Sequence, residues 1–185
     1  MAGCGGQETV KPPVPAPTPI ARLDTATMQL PRIDFCSLVS GSAVAAALGG
    51  KATADSSYGN GQAVGVAGVG RDRVHETGCT WSRGAVRASA WVFAQPVTAG
   101  LARSVISAGA HDHGCREVAG PAFGRPSYTR VCGAGNRAVT VRHAGLFGQT
   151  WLTCEVGGAS LPSTGVRARA DAWCVAVATA LDTAR

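Results

Sequence analysis

Metal chemistry has one local foothold in this sequence, His111-Asp112-His113-Gly114-Cys115. Two imidazoles, a carboxylate and a thiol form a donor set suited to zinc or copper. Alternating ligands suit a strand, but this stretch follows a helix stop and reads as a loop. A Cys115 spent in a disulfide could not ligate, so no metal is expected. Gly133-Ala134-Gly135-Asn136-Arg137-Ala138 imitates a dinucleotide-binding glycine loop. Such a loop must open a helix whose N-terminus meets the pyrophosphate. The following Val139-Thr140-Val141-Arg142-His143 alternates like a strand, so a hairpin turn is expected and no cofactor. Nucleophilic catalysis lacks a Gly-x-Ser-x-Gly elbow. His75 near Glu76 and His143 near Arg142 could each join a triad assembled in space, but the sequence assigns no catalytic residue. Trp81, Trp91, Trp151 and Trp173 read as core or disulfide-packing residues rather than a stacking platform.

Cysteine supplies the most informative count: Cys4, Cys36, Cys79, Cys115, Cys132, Cys154 and Cys174. With Cys4 set aside, six remain, and none forms a Cys-x-x-Cys pair of the zinc-ribbon or thioredoxin kind. Six spaced cysteines in a small domain imply three disulfides and an oxidising compartment.

The elements that would position these residues follow from periodicity. Leu38, Val44, Ala45 and Leu48 are spaced for one helical face, with Ser40 or Ser42 as N-cap and Gly49-Gly50 as terminator. Residues 63–69 suit a strand. Thr77 to Ser82 and Ala85 to Gln95 read as a hairpin, since Val86, Ala88, Ala90 and Val92 alternate with Arg87, Ser89, Trp91 and Phe93. A second helix fits Val97 to Ala108, with Leu101 and Val105 inward. Three strands follow, Ser127 to Cys132, Ala138 to His143 and Thr150 to Val156, with turns expected at 133–135 and 145–148. The clearest helix runs from Ser163 to about Thr183, where Val166, Ala170, Trp173, Cys174, Val177 and Leu181 form one stripe. Strands joined by short turns must be antiparallel. The expected fold is α+β: an antiparallel sheet of about five strands, three helices packed on one face, and three disulfides.

Six cysteines allow 15 pairings, and the expected set is Cys36–Cys79, Cys115–Cys132 and Cys154–Cys174. Cys154 ends a strand and Cys174 lies on the apolar stripe of the next helix, so that bridge would pin the helix to the sheet. Cys115–Cys132 would close a loop rich in Gly and Pro. Cys36–Cys79 would then tie the first helix to the strand carrying Trp81.

Residues 1–31 read as an anchor and tether, and 32–185 as the folded domain. The run Lys11-Pro12-Pro13-Val14-Pro15-Ala16-Pro17-Thr18-Pro19 suits a polyproline spacer. Ahead of it, Ala2-Gly3-Cys4-Gly5 resembles the end of a bacterial lipoprotein signal, in which small residues fit the signal peptidase and the cysteine thiol receives diacylglycerol. Met1 stands where that pattern carries Leu, and the basic and apolar regions of a signal peptide are not in the sequence. The resemblance implies a precursor trimmed or started late, and lipidation at Cys4.

Phe35-Cys36-Ser37-Leu38-Val39-Ser40 followed by Ala43-Val44-Ala45-Ala46-Ala47-Leu48-Gly49, then Gly78-Cys79-Thr80-Trp81, then Ala172-Trp173-Cys174, resemble a family of actinobacterial secreted lipoproteins of unassigned function. The resemblance spans most of residues 33–183 and implies a secreted lipoprotein with an α+β domain. It carries over no catalytic residue.

Charge bounds the partners. Charged residues make up only 15% of the chain, below the quarter usual in globular proteins. The net charge is +6, but the arginines are scattered from Arg71 to Arg142 rather than clustered among aromatics, so no nucleic acid is expected. The sequence therefore implies a non-catalytic binding or interaction domain, held on the outer face of the cell membrane by lipid at Cys4. An envelope protein or an anionic wall polymer is its expected partner. The alternative is a small envelope hydrolase or metal-handling protein using His111, Asp112 and His113.

Overall fold

The computed structural model describes residues 18–66, 70–110, 114–133, 139–159 and 163–184. Helix α1 spans Gly41–Leu48, α2 Ala99–Gly109 and α3 Ser163–Asp182. Strands are β1 (Ala54–Tyr58), β2 (Ala63–Val66), β3 (Gly70–Arg73), β4 (Glu76–Arg83), β5 (Val86–Phe93), β6 (Cys115–Glu117), β7 (Ser127–Cys132), β8 (Val139–Phe147) and β9 (Thr150–Gly158). Seven of them form one sheet in the order β1-β4-β5-β9-β8-β7-β6, and β2 pairs with β3 separately. Every described pairing is antiparallel.

The expectation of about five strands is corrected to seven. β1 (ADSSY) and β6 (CRE) are polar and mostly exposed edge strands. An edge strand solvated on both faces carries no apolar alternation to reveal it. Strand β8 also runs on through Gly145, Leu146 and Phe147, which the sequence reading placed in a turn.

Local chemistry accounts for the helix ends. Ala43 N donates to the Ser40 hydroxyl at 3.2 Å, and Gly49 takes the left-handed conformation (φ 73°) that stops α1. The Thr98 hydroxyl caps α2 by accepting from Leu101 N.

One face of the sheet carries the main core. Val86, Ala88, Ala90 and Val92 on β5 and Leu152, Cys154 and Val156 on β9 are buried there, with α3 packed on β8 and β9 and α1 packed on α3. The expected α3 stripe, Val166, Ala170, Trp173, Cys174, Val177 and Leu181, is buried throughout. The domain also starts earlier than expected. Ile20, Met28 and Leu30, assigned by sequence to the tether, lie in this core, and the Thr150 hydroxyl donates to the Leu30 carbonyl at 2.5 Å. These are isolated apolar residues among prolines and polar groups, without a period to mark them.

Helix α2 corrects the expectation that all helices share a face. It packs on β7 and β8 in a second cluster of Val97, Ala102, Tyr128, Ala144, Leu146 and Trp151. Ala144 and Leu146 alternate with Val141, His143 and Gly145 along β8, so this cluster lies on the other side of the sheet. Leu101, expected inward, is 48% exposed, and Ala102 is the buried contact. Leu38 is also exposed.

The disulfides are Cys36–Cys79, Cys115–Cys132 and Cys154–Cys174, the pairing expected from sequence. They tie the turn before α1 to β4, β6 to β7, and β9 to α3.

Gly145 stands where a Cβ would fall on the Phe123 carbonyl. Backbone cannot swing aside as a flexible side chain would, so Gly145→Ala should cost about 1–3 kcal/mol through overpacking. A lowered urea midpoint at unchanged slope would show it, and an unchanged midpoint would contradict this close approach.

Candidate functional site

Directly paired residues in an antiparallel sheet project to the same face. Helix α2 covers the β7–β8 end of the second face, while the register sets three rows across its remainder. The middle row is Ser56, Thr80, Ser89, Glu155, Arg142 and Arg130. On one side stand Tyr58, Gly78, Trp91, Thr153, Ala144 and Tyr128. On the other stand Ala54, Ser82, Arg87, Gly157 and Thr140.

From Thr80 to Arg130 the polar groups of the middle row are paired. The Thr80 and Ser89 hydroxyls share a hydrogen bond at 3.1 Å. Arg142 Nε donates to Glu155 Oε2 at 2.8 Å, with both side chains about three-quarters buried. Burial alone would lower the Arg142 pKa, but the charge and hydrogen bond of Glu155, joined by Tyr128, more than offset it, so the guanidinium stays charged. Its carbon lies 5.5 Å from the centre of the half-buried Trp91 ring, a cation–π contact. Arg130 is buried, lies 4.0 Å over the Tyr128 ring, and donates to the Ile106 carbonyl at 2.6 Å. It fastens the last turn of α2, where a cation suits the helix dipole.

At the β1 edge, Gly78 leaves room for the Tyr58 ring, whose hydroxyl donates to Glu76 Oε1 at 2.6 Å. Burial, then the hydrogen bond and charge of Glu76 and the charge of Glu155, push the phenol well above its ordinary range. Burial also raises Glu76, partly countered by the Tyr58 hydrogen bond. Both groups hold their protons longer in the folded chain than in the unfolded one. The Tyr58 contribution is therefore intact below the unfolded tyrosine pKa near 10 and is lost as pH rises beyond it. Tyr58→Phe should flatten the alkaline fall in stability, read by urea unfolding at a series of pH values from about 8 to 11. An identical alkaline slope in the variant would refute this.

A second cluster lies inside the main core. The Thr129 hydroxyl is 2.9 Å from His143 Nδ1. His143 Nε2 is 2.8 Å from Asp171 Oδ1, and Arg167 Nε is 3.5 Å from the same oxygen. A hydroxyl, an imidazole and a carboxylate in series have the composition of an acyl-transfer triad. Burial argues against that use. His143 is fully buried and Thr129 is 4% exposed, with the Phe123 ring 6.1 Å from the imidazole. Neither side chain has the solvent access that a substrate carbonyl would need. The Nε2–Oδ1 contact is close yet poorly aligned for a hydrogen bond. The chain acts instead as a polar fastening between β7, β8 and α3.

The residues singled out by sequence scatter across the fold. His111, Asp112 and His113 lie outside the described residues, as do Ala134 to Ala138 and Cys4. His75 is exposed just before β4, far in sequence from His143 on β8. Asp34, Cys36 and Cys79 bring possible metal ligands together, but both sulfurs are bonded to each other. Trp151 and Trp173 are core residues, and Trp81 packs edge-on against Trp173 at 5.3 Å. Trp91 departs from the expectation made for all four, standing only partly buried on the second face. Its outward direction was visible in the alternation of β5, but its neighbours on β8 and β9 were not. Among the described residues no helix is long and apolar enough to cross a membrane.

Compared with known proteins, the chain matches no family description and no curated sequence.

Proposed function

We propose that this chain is a lipid-anchored cell-envelope protein carrying a non-catalytic binding domain, and that the sheet face beyond α2 is its binding surface. One observation carries the assignment of the surface. Trp91, Arg87, Thr80, Ser82 and Thr140 are at least partly exposed on one sheet face, around an internally paired Arg142 and Glu155. A sheet face whose only task is to meet water has no use for an indole backed by a buried ion pair. Fixed pairs beside a partly exposed aromatic form a rigid surface that loses little entropy on binding. The three disulfides support an oxidising compartment, and the Ala2-Gly3-Cys4-Gly5 segment supports attachment by lipid at Cys4.

The test uses the tethered domain immobilised and exposed to solubilised envelope. Wild-type protein should retain envelope material that Trp91→Ala releases, with the two proteins melting alike. Equal retention by both would remove the face from the proposal. A separate measurement addresses the anchor. In the native host, the N-terminal peptide of the processed protein should carry diacylglycerol in thioether linkage at Cys4. An unmodified thiol found by mass spectrometry on a protein recovered from the cytosol would overturn it.

A further inference from the structure

We infer that the ligand of this face is an acidic glycan, with a sugar carboxylate held at Arg87 and a ring further along the same chain laid on Trp91. The inference rests on the reading of the face as a binding surface and adds the chemistry of the occupant.

A notch is built into the third row. Gly157 stands in mid-sheet between Arg87 and Thr140, and a Cβ there would meet the Thr140 side chain. Without one, a cavity of about 310 Å³ opens, lined by Ser82, Arg87, Thr140, Glu155 and Gly157 among others. That volume is at the lower end of small-ligand sites. Its walls set hydroxyls, a carboxylate and a guanidinium beside small apolar groups such as Ala85, a mixed lining that suits a sugar ring with its polar rim and apolar face.

Charge selects the acid. Glu155 is engaged with Arg142. Arg87 is exposed, and no hydrogen bond or ion pair holds its guanidinium among the described residues. Arg87 and Arg142 against Glu155 leave one positive charge on the notch, which a single carboxylate balances. A planar guanidinium also matches a carboxylate through two parallel hydrogen bonds.

Spacing selects the glycan. Trp91 and Arg87 lie on one face of β5, four residues apart, so about 13 Å separates them along the strand. Between them stand the buried Ser89 and its partner Thr80. An indole at one end and a cation at the other suit an extended chain of rings with an acid group, not a compact metabolite. The +6 net charge of the chain favours approach of an anionic polymer.

Isothermal titration of the whole domain with trigalacturonic acid, and with its methyl ester as the uncharged counterpart, tests the inference. The acid should bind wild type at least tenfold more tightly than the ester does. Arg87→Gln should remove that preference, and Arg87→Lys should restore part of it. Trp91→Ala should weaken acid and ester alike. Both side chains are partly exposed, and unchanged melting would show that the variants fold. Equal binding of acid and ester, or an Arg87→Gln protein that keeps the preference, overturns the carboxylate site. So would tighter binding of a polyglycerol phosphate than of the sugar acid. In each case, envelope capture lost in Trp91→Ala would leave the binding face standing. Loss of both results would remove the face as well.

Discussion

Opening all three disulfides should unfold this domain at ambient temperature. The bridges join residues 43, 17 and 20 positions apart. In the chain-entropy account, loops of these sizes are each worth about 3–4 kcal/mol, against a net stability of about 5–15 kcal/mol for a domain. The contributions are not strictly additive, yet two bridges lost would approach the whole margin. Order of loss should follow access. Cys154 and Cys174 are both fully buried between the sheet and α3, whereas Cys36 and Cys115 are partly exposed. Mild reductant should therefore open Cys36–Cys79 and Cys115–Cys132 first, and Cys154–Cys174 only as the fold gives way. Peptide mapping after timed reduction, alongside circular dichroism, reads both the order and the unfolding. A fully reduced protein that keeps its near-ultraviolet signal would show that packing alone holds the sheet and α3 together.

The Cys154–Cys174 pairing was legible because that bridge joins elements whose type and order were legible. Cys174 falls on the apolar stripe of α3, and Cys154 sits on the buried side of an alternating strand. Where that patterning fails, so did the reading. β1 is held by its pairing with β4 and not by an apolar face of its own. β6 has three residues, pinned by β7 and by Cys115–Cys132. The burial of Ile20, Met28 and Leu30 is decided by what they meet on the main core, a tertiary fact without a local period. The side of the sheet that α2 covers depends on the path of the chain between β5 and β9. That same pairing decides the site. Arg87 faces Gly157 and Ser89 faces Glu155 only because β5 and β9 meet in one register, across more than sixty residues of chain. Alternation told which side chains of β5 point outward. It could not tell that a glycine on β9 would leave a notch beside one of them.

His143→Ala should cost about 2–4 kcal/mol, as large as the loss of a buried core side chain. The imidazole is fully buried and sits between a Thr129 hydroxyl and the Asp171 carboxylate. Its removal leaves a cavity beside Phe123 and deprives two buried polar atoms of their neighbour. Leaving such groups unpaired is more costly than the bond itself was worth. Asp171 Oδ1 is buried although the side chain is partly exposed, and Arg167 stays beside it, so the penalty falls short of that for a sealed ion pair. Arg167, about a third exposed and 3.5 Å from Asp171, should matter much less, within the range of a surface ion pair. Asp171→Asn keeps the shape and a hydrogen-bonding group at the end of the chain, so its cost should lie between those two. A double-mutant cycle of Thr129→Val with His143→Ala separates the fastening from simple volume. Coupling of about 1 kcal/mol or more means the hydroxyl and imidazole act as one unit. If His143→Ala instead unfolds at the wild-type urea concentration, the buried chain of polar groups does not hold α3 to the sheet.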